Sequence, residues 1–413
     1  MEHKIVDHLF RHHYGKMMAI LIRFFGFSHI ETIEDAVQDT FVKATLQWRN
    51  QIPDSPEAWL TKAAKNRTID LLRRLKAERN RSDKVNPGPS SIALEELFLD
   101  HEIEDSQLRM IFVACHPSLR PKEQIAFALK TISGFSTKEI AAALLTKQET
   151  IAKRLSRAKK TIIKNKLQFD FPPEQEVQKR LVRVMEVIYL TFNEGFHSTH
   201  KTKLVREDLC GEAIRLAKLL LKKEKFRSGS LYALFALMCF HASRLESKTN
   251  DNNEIVNMKM QDRSKWYLPL IEIGNSAMGK AIEYEDVSIY HYEAAIAAEH
   301  IKAKTFSDTD WNKILHWYTE LYEVQPTAFT QLNMAIVNLQ LNRLDTTRQL
   351  LDTIISKDLG QRIYLYYACY AEYYIKTGEG SKAISYLEEA IQNVSNNLEK
   401  DYLINKKAKL NII

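Results

Sequence analysis

The sequence predicts an all-α protein in three parts: a small helical domain at about 1–80, a second at about 105–170 ending in a helix-turn-helix, and a helical extension at 171–413. An acidic connector at 81–104 joins the first two. Three observations carry that expectation. Breakers are sparse, with 12 Gly and 10 Pro in 413 residues, so little interrupts a helix. Apolar residues recur at spacings of three and four wherever a pattern is clear. The formal net charge of +7 is laid out in blocks, basic then acidic then basic, so its placement says more than its total.

In the first part, Met17, Ile20, Leu21, Phe24 and Phe25 form one helical stripe, and Ile33, Val37, Phe41 and Ala44 form the next. Asp54-Ser55-Pro56 marks a helix start, with Ser55 a candidate N-cap and Pro56 at the first helical position. That helix carries Trp59, Leu60, Ala63, Ile69 and Leu72 into Arg73-Arg74. Residues 62–84 hold nine basic side chains against three acidic ones, a local net of +6. Asn86-Pro87-Gly88-Pro89-Ser90-Ser91 reads as a turn-rich linker, and residues 85–105 hold six acids with no Lys or Arg.

In the second part, Ser136-Thr137-Lys138-Glu139 is a capping box: Ser136 accepts from the Glu139 amide while Glu139 reaches back to the cap. A short helix at 136–144, a tight turn at 145–147 and a helix at 148–163 follow. On the last, Ile151, Leu155, Ala158 and Ile162 make one apolar stripe, and Thr150, Lys153, Arg154, Arg157 and Lys160 face away from it. Residues 147–166 carry eight basic groups against Glu149, a local net of +7. A basic charge run is ordinarily a solvated face; on the second helix of a helix-turn-helix it is also what a DNA reader needs.

In the third part, Gln340 to Leu351 is echoed by Lys376 to Leu387 at an offset of 36 residues, close to a period of about 34 for tetratricopeptide repeats. The echo is weak between 177 and 320.

The order of these elements resembles the RNA polymerase sigma factors of the extracytoplasmic-function type, within the sigma-70 family. Ile33 to Ala44 looks like sigma region 2.2, Pro56 to Arg74 is similar to regions 2.3 and 2.4, and the helix-turn-helix at 136–163 looks like region 4.2. Beyond residue 170 the likeness narrows to a subgroup with a C-terminal tetratricopeptide-like extension. It rests on Asp105 to Phe112, Phe192-Asn193-Glu194-Gly195-Phe196, Asp208 to Leu216, Gln261-Asp262-Arg263-Ser264-Lys265-Trp266 and Asp308-Thr309-Asp310-Trp311. His241-Ala242-Ser243-Arg244 departs from the acidic, Arg-rich string expected there.

The resemblance implies partners and roles. Glu34, Asp35, Gln38, Asp39 and Phe41 would bind the beta-prime clamp of core RNA polymerase, with the beta flap as the further polymerase contact. Lys62, Lys65, Arg67, Arg73 and Arg74 would neutralise minus-ten phosphates while Asn66 captures a flipped base. Gln148, Glu149, Thr150, Lys153, Arg154 and Arg157 would read the minus-35 element in the major groove. The extension would hold a protein partner or fold back on this chain. The rival from another class is a tetratricopeptide-like interaction scaffold tethered to DNA.

Other classes lack their signatures. No GxGxxG, P-loop, HExxH or GxSxG string occurs, so the expectation is no enzyme and no cofactor. His197-Ser198-Thr199-His200 beside Glu194 is a chance cluster more readily than a metal site, because no spaced ligand set completes it. Cys115, Cys210, Cys239 and Cys369 are scattered without a CxxC pair and read as reduced core residues. No run of about 18 uncharged apolar residues is present, so a cytoplasmic protein is expected.

Overall fold

The computed structural model of the protein describes residues 2–48, 52–79, 100–144, 146–197, 204–250, 252 and 254–410. Regular structure among these residues is helical, apart from one isolated antiparallel bridge between Thr249 and Ile255. The turn-rich linker at 86–91 and the connector up to residue 99 lie outside the described residues. The connector's last acids do not connect: Asp100 already opens a helix.

The chain divides into two compact units, residues 1–191 and 192–413, where the sequence suggested three parts. In the first, α1 (Glu2–Phe25), α2 (Ile30–Gln47) and α3 (Pro56–Arg79) pack through the predicted stripes. Met17, Ile20 and Leu21 are buried, as are Ile33, Val37, Phe41 and Ala44. Each of these side chains except that of Ala44 contributes about 1.5–3 kcal/mol by leaving water. Trp59 is half-buried, edge-on to the buried Trp48 at 5.4 Å.

The same unit holds α4 (Asp100–Ala114), α5 (Pro121–Thr131), α6 (Thr137–Ala143), α7 (Gln148–Lys164) and the part of α8 (Glu174–Phe196) up to Thr191. Close packing explains why the first two predicted domains share one unit. A Cβ added at Gly15 of α1 would lie 2.0 Å from the Ile132 carbonyl oxygen just past α5, so only glycine lets the two backbones approach this far. Arg23 donates to Ser106 Oγ at 3.1 Å, and the rings of Phe27 and Phe169 sit 5.8 Å apart. The boundary expected at 170 also moves. Arg109 bridges Asp105 and Asp170 and lies 4.6 Å over the Phe171 ring, while Val177, Leu181 and Val184 of α8 are buried.

In the second unit, α9 (Glu207–Lys222) precedes α10 (Gly229–Ala242), which is apolar all round and buried at every residue except His241. A helix with no polar face belongs inside a bundle. Asp286 caps it, its two carboxylate oxygens accepting from the amides of Gly229 and Ser230 at 2.7 and 2.8 Å. Helical periodicity then lapses. From Ser243 to Tyr267 the chain makes short 3-10 turns, and Asn250 Oδ1 accepts from the amides of Asn252 and Glu254, a side-chain substitute for backbone pairing.

Helices resume with α11 (Leu268–Ala281), α12 (Ile289–Lys302) and α13 (Trp311–Val324). The pairs α14 (Ala328–Gln340) with α15 (Leu344–Thr353), and α16 (Ile363–Lys376) with α17 (Gly380–Asn393), are the echoed segments, and α18 (Asn397–Leu410) follows. The 36-residue offset has a structural basis. Asn342 (φ 60°) and Gly378 (φ 79°) each turn one helix into the next in the left-handed conformation these two residue types tolerate best. Ala335 and Ala371 occupy corresponding places in their pairs, as do Leu351 and Leu387, and all four are 0% exposed.

Candidate nucleic-acid and polymerase interface

The helix-turn-helix begins with the predicted cap. The Ser136 amide donates to Glu139 Oε2 at 2.8 Å and the Glu139 amide donates to Ser136 Oγ at 3.2 Å. After the turn, Ile151, Leu155, Ala158 and Ile162 bury one stripe of α7. Gln148, Glu149, Lys153 and Arg157 are exposed, while Thr150 and Arg154 are half-buried. The predicted reading residues therefore share the outer side of one helix. Their basic groups form a surface suited to phosphates, with the helix N-terminus free to reach base edges.

On α3, Lys62, Asn66, Arg73 and Arg74 are exposed, and Lys65 and Arg67 are half-buried. Arg67 does not stand open. Its Nε and a terminal nitrogen donate to Asp39 Oδ2 of α2 at 2.8 and 2.6 Å. A residue expected to meet the polymerase and one expected to meet DNA are thus paired to each other, in a partly exposed bridge of the kind that contributes about 0–1 kcal/mol.

The expected docking face of α2 needs correction at two positions. Phe41 is 5% exposed and belongs to the core. Glu34 is buried too, because it lies between Ile33 and Val37 on the inward side. Lys159 of α7 donates to its Oε2 at 2.5 Å, and Oε1 has no hydrogen-bond partner among the described residues. The surroundings respond: burial first, then Glu34, holds the Tyr14 hydroxyl well above its usual pKa. Burial lowers the pKa of Lys130, which Glu34 partly offsets.

Asp35, Gln38 and Asp39 are exposed as expected. Beside them stand two side chains the sequence reading missed, Val42 at 60% and Leu46 at 58% exposure. Their i, i+4 spacing, offset from the core stripe, was the available signal. Lys159 was missed as well; it sits at the edge of the apolar stripe, four residues after Leu155.

Family models match sigma-70 region 2 to residues 9–78 and sigma-70 region 4 to residues 109–162, in the order and places of these two helical surfaces. The chain belongs to the sigma-70 family. Residues 180–282 of this sigma factor match a family of unknown function, DUF6596, so most of the extension's first half has a family model of its own. Among relatives, the uncharacterized protein R00370 of Rhizobium meliloti (strain 1021) is 32% identical over 334 residues, covering 77% of this chain and 76% of that protein. The ECF RNA polymerase sigma factor SigE of Mycolicibacterium smegmatis is 28% identical over 156 residues, 38% of this chain and 59% of that one, so the match spans less than two thirds of it. No solved structure matches the sigma factor.

The remaining candidates place simply. His13 bonds Glu57 at 2.8 Å. His197 is exposed at the end of α8, its ring edge-on to Phe196 at 4.7 Å; Ser198, Thr199 and His200 lie outside the described residues. All four cysteines are free and buried, and burial pushes each thiol up to about 12. No helix among the described residues is long and apolar enough to cross a membrane.

Proposed function

We propose that this sigma factor directs promoter-specific initiation in the cytoplasm by docking α2 on the beta-prime clamp, engaging the minus-ten element with α3 and reading the minus-35 element with α7. The beta flap is the second polymerase contact, and the chemistry of RNA synthesis stays with the polymerase. The observation that carries the reading is the division of α7: Ile151, Leu155, Ala158 and Ile162 are buried, while Gln148, Glu149, Lys153 and Arg157 stay in solvent. A helix with one apolar stripe and a basic outer side, second in a helix-turn-helix, is built to sit in a major groove.

For docking, the acids and amide of Asp35, Gln38 and Asp39 would set register on a basic partner surface, and Val42 and Leu46 would supply apolar area. Glu34 and Phe41 act from behind, by shaping α2. The extension is read as tetratricopeptide-like, and its part is to complete or control the initiating half of the chain. The docking assignment is tested by size-exclusion co-elution of the full chain with core polymerase. Asp35→Lys combined with Val42→Asp abolishes co-elution with circular dichroism unchanged; co-elution equal to wild type would refute the assignment.

A further inference from the structure

The turn from α11 into α12 takes no part in the polymerase and promoter contacts of the first unit, yet its make-up is unusual for a connection. Every residue of Ile282-Glu283-Tyr284-Glu285-Asp286-Val287 is exposed. Turns favour Gly, Pro, Asn, Asp and Ser, whereas here Ile282 is 74% exposed, Val287 66% and Tyr284 37%.

The turn is also fixed. Asp286 caps α10 through the amides of Gly229 and Ser230. A Cβ on Gly229 would lie 2.8 Å from the carbonyl oxygens of both Ala281 and Asp286, so glycine lets the turn lie directly on the start of α10. The Tyr284 ring is 5.8 Å from that of the buried Tyr232, over which Lys280 stands at 5.8 Å. Three apolar side chains are therefore held out on an ordered backbone, so binding a partner needs little further ordering. Exposed apolar clusters with a polar rim mark interaction surfaces.

The rim selects the partner. Glu283, Glu285 and Lys280 are exposed, and Arg227 and Glu224 lie within electrostatic reach of the Tyr284 hydroxyl. Nucleic acid or an anionic membrane would be repelled by Glu283 and Glu285, and a uniformly basic protein by Lys280 and Arg227. A face carrying both signs around an apolar centre complements a copy of itself turned about a two-fold axis. We propose that the free sigma factor self-associates through this face into a two-fold dimer. Ile282, Tyr284 and Val287 of one copy pack on those of the other, and Glu283 and Glu285 face Lys280 and Arg227 of the other copy. The axis forms each of these cross-pairs twice. The apolar centre is small, so the dimer is weak and its rim charges chiefly set register. It is independent of the initiation reading, since association needs neither polymerase nor DNA.

The test is sedimentation velocity of the full chain, with a monomer–dimer equilibrium expected at a Kd on the order of 10 μM. Ile282→Asp with Val287→Asp should leave a monomer throughout the same concentration range, with circular dichroism unchanged because both side chains are exposed. Lys280→Glu, and separately Glu283→Lys with Glu285→Lys, should each weaken self-association by about two- to fivefold. An equimolar mixture of these two charge variants should associate more tightly than either does with itself, and this comparison carries the test if the double Asp variant fails to fold. A wild-type chain that stays monomeric, or a dimer undiminished by the double Asp substitution, overturns the interface. A mixture no tighter than its separate components overturns the two-fold pairing.

Discussion

Burial sets the chemistry of Lys248, whose Nζ donates to the Phe196 carbonyl inside the second unit. Its pKa is lowered to about 7, by desolvation first and by Arg244 next, with Cys210 and Glu399 pulling the other way. The unfolded value is about 10.4. Between the two, the unfolded chain binds a proton that the folded chain does not, so this group makes stability rise with pH. Raising the pH from 7 to 8.5 should add roughly 1–2 kcal/mol in wild type through Lys248, set against the loss from unfolded thiols that ionise in the upper part of this window and are common to both proteins. Lys248→Met should lose that increment, measured as the difference between the two proteins' urea midpoints across the window. Parallel pH dependence would show that Lys248 is not the group responsible. None of this was legible in the sequence, where Lys248 is one lysine in a polar stretch. Glu34 was misread for a related reason: charge suggested an outward residue, while its position between Ile33 and Val37 decided the matter.

At the scale of elements, the buried Lys159 to Glu34 bridge links α7 to α2. With side-chain exposures of 15% and 10%, removing one partner strands the other charge. Lys159→Met should therefore destabilise the first unit by about 3–5 kcal/mol, whereas Lys159→Met with Glu34→Met should recover most of the loss. Thermal melts of the single and double variants decide it; additive losses would mean that the bridge carries no coupling. The local elements were readable. The capping box at Ser136, the α7 stripe and the 36-residue echo each rest on residues less than about 40 apart, where periodicity and turn chemistry act directly. Two features were not. The merging of the first two domains depends on Gly15 against Ile132 and Lys159 against Glu34, pairs more than 100 residues apart that leave no local pattern. The irregular stretch from Ser243 to Tyr267 depends on side-chain hydrogen bonds from Asn250 and Arg263 that outcompete helix.

For the whole molecule, the two compact units fix where a cut is informative. Ending the chain at 170 would remove Val177, Leu181 and Val184 from the first unit's core, so a cut after residue 197 is the appropriate one. The shortened protein should keep the melting behaviour of the first unit and lose transcription, if the extension completes the initiating half. Equal rates at the same promoters would leave the extension a separate module. The central claim, that this chain guides core polymerase to promoters through α7, is tested most directly by run-off transcription in vitro with purified core polymerase and the full-length protein. Wild type should give promoter-specific product. Arg154→Ala and Arg157→Ala should each cost about 1–3 kcal/mol at the minus-35 element, while Lys160→Ala mainly lowers the salt slope by about 1. No promoter-specific product from wild type, or product and salt dependence untouched by all three substitutions, would contradict it.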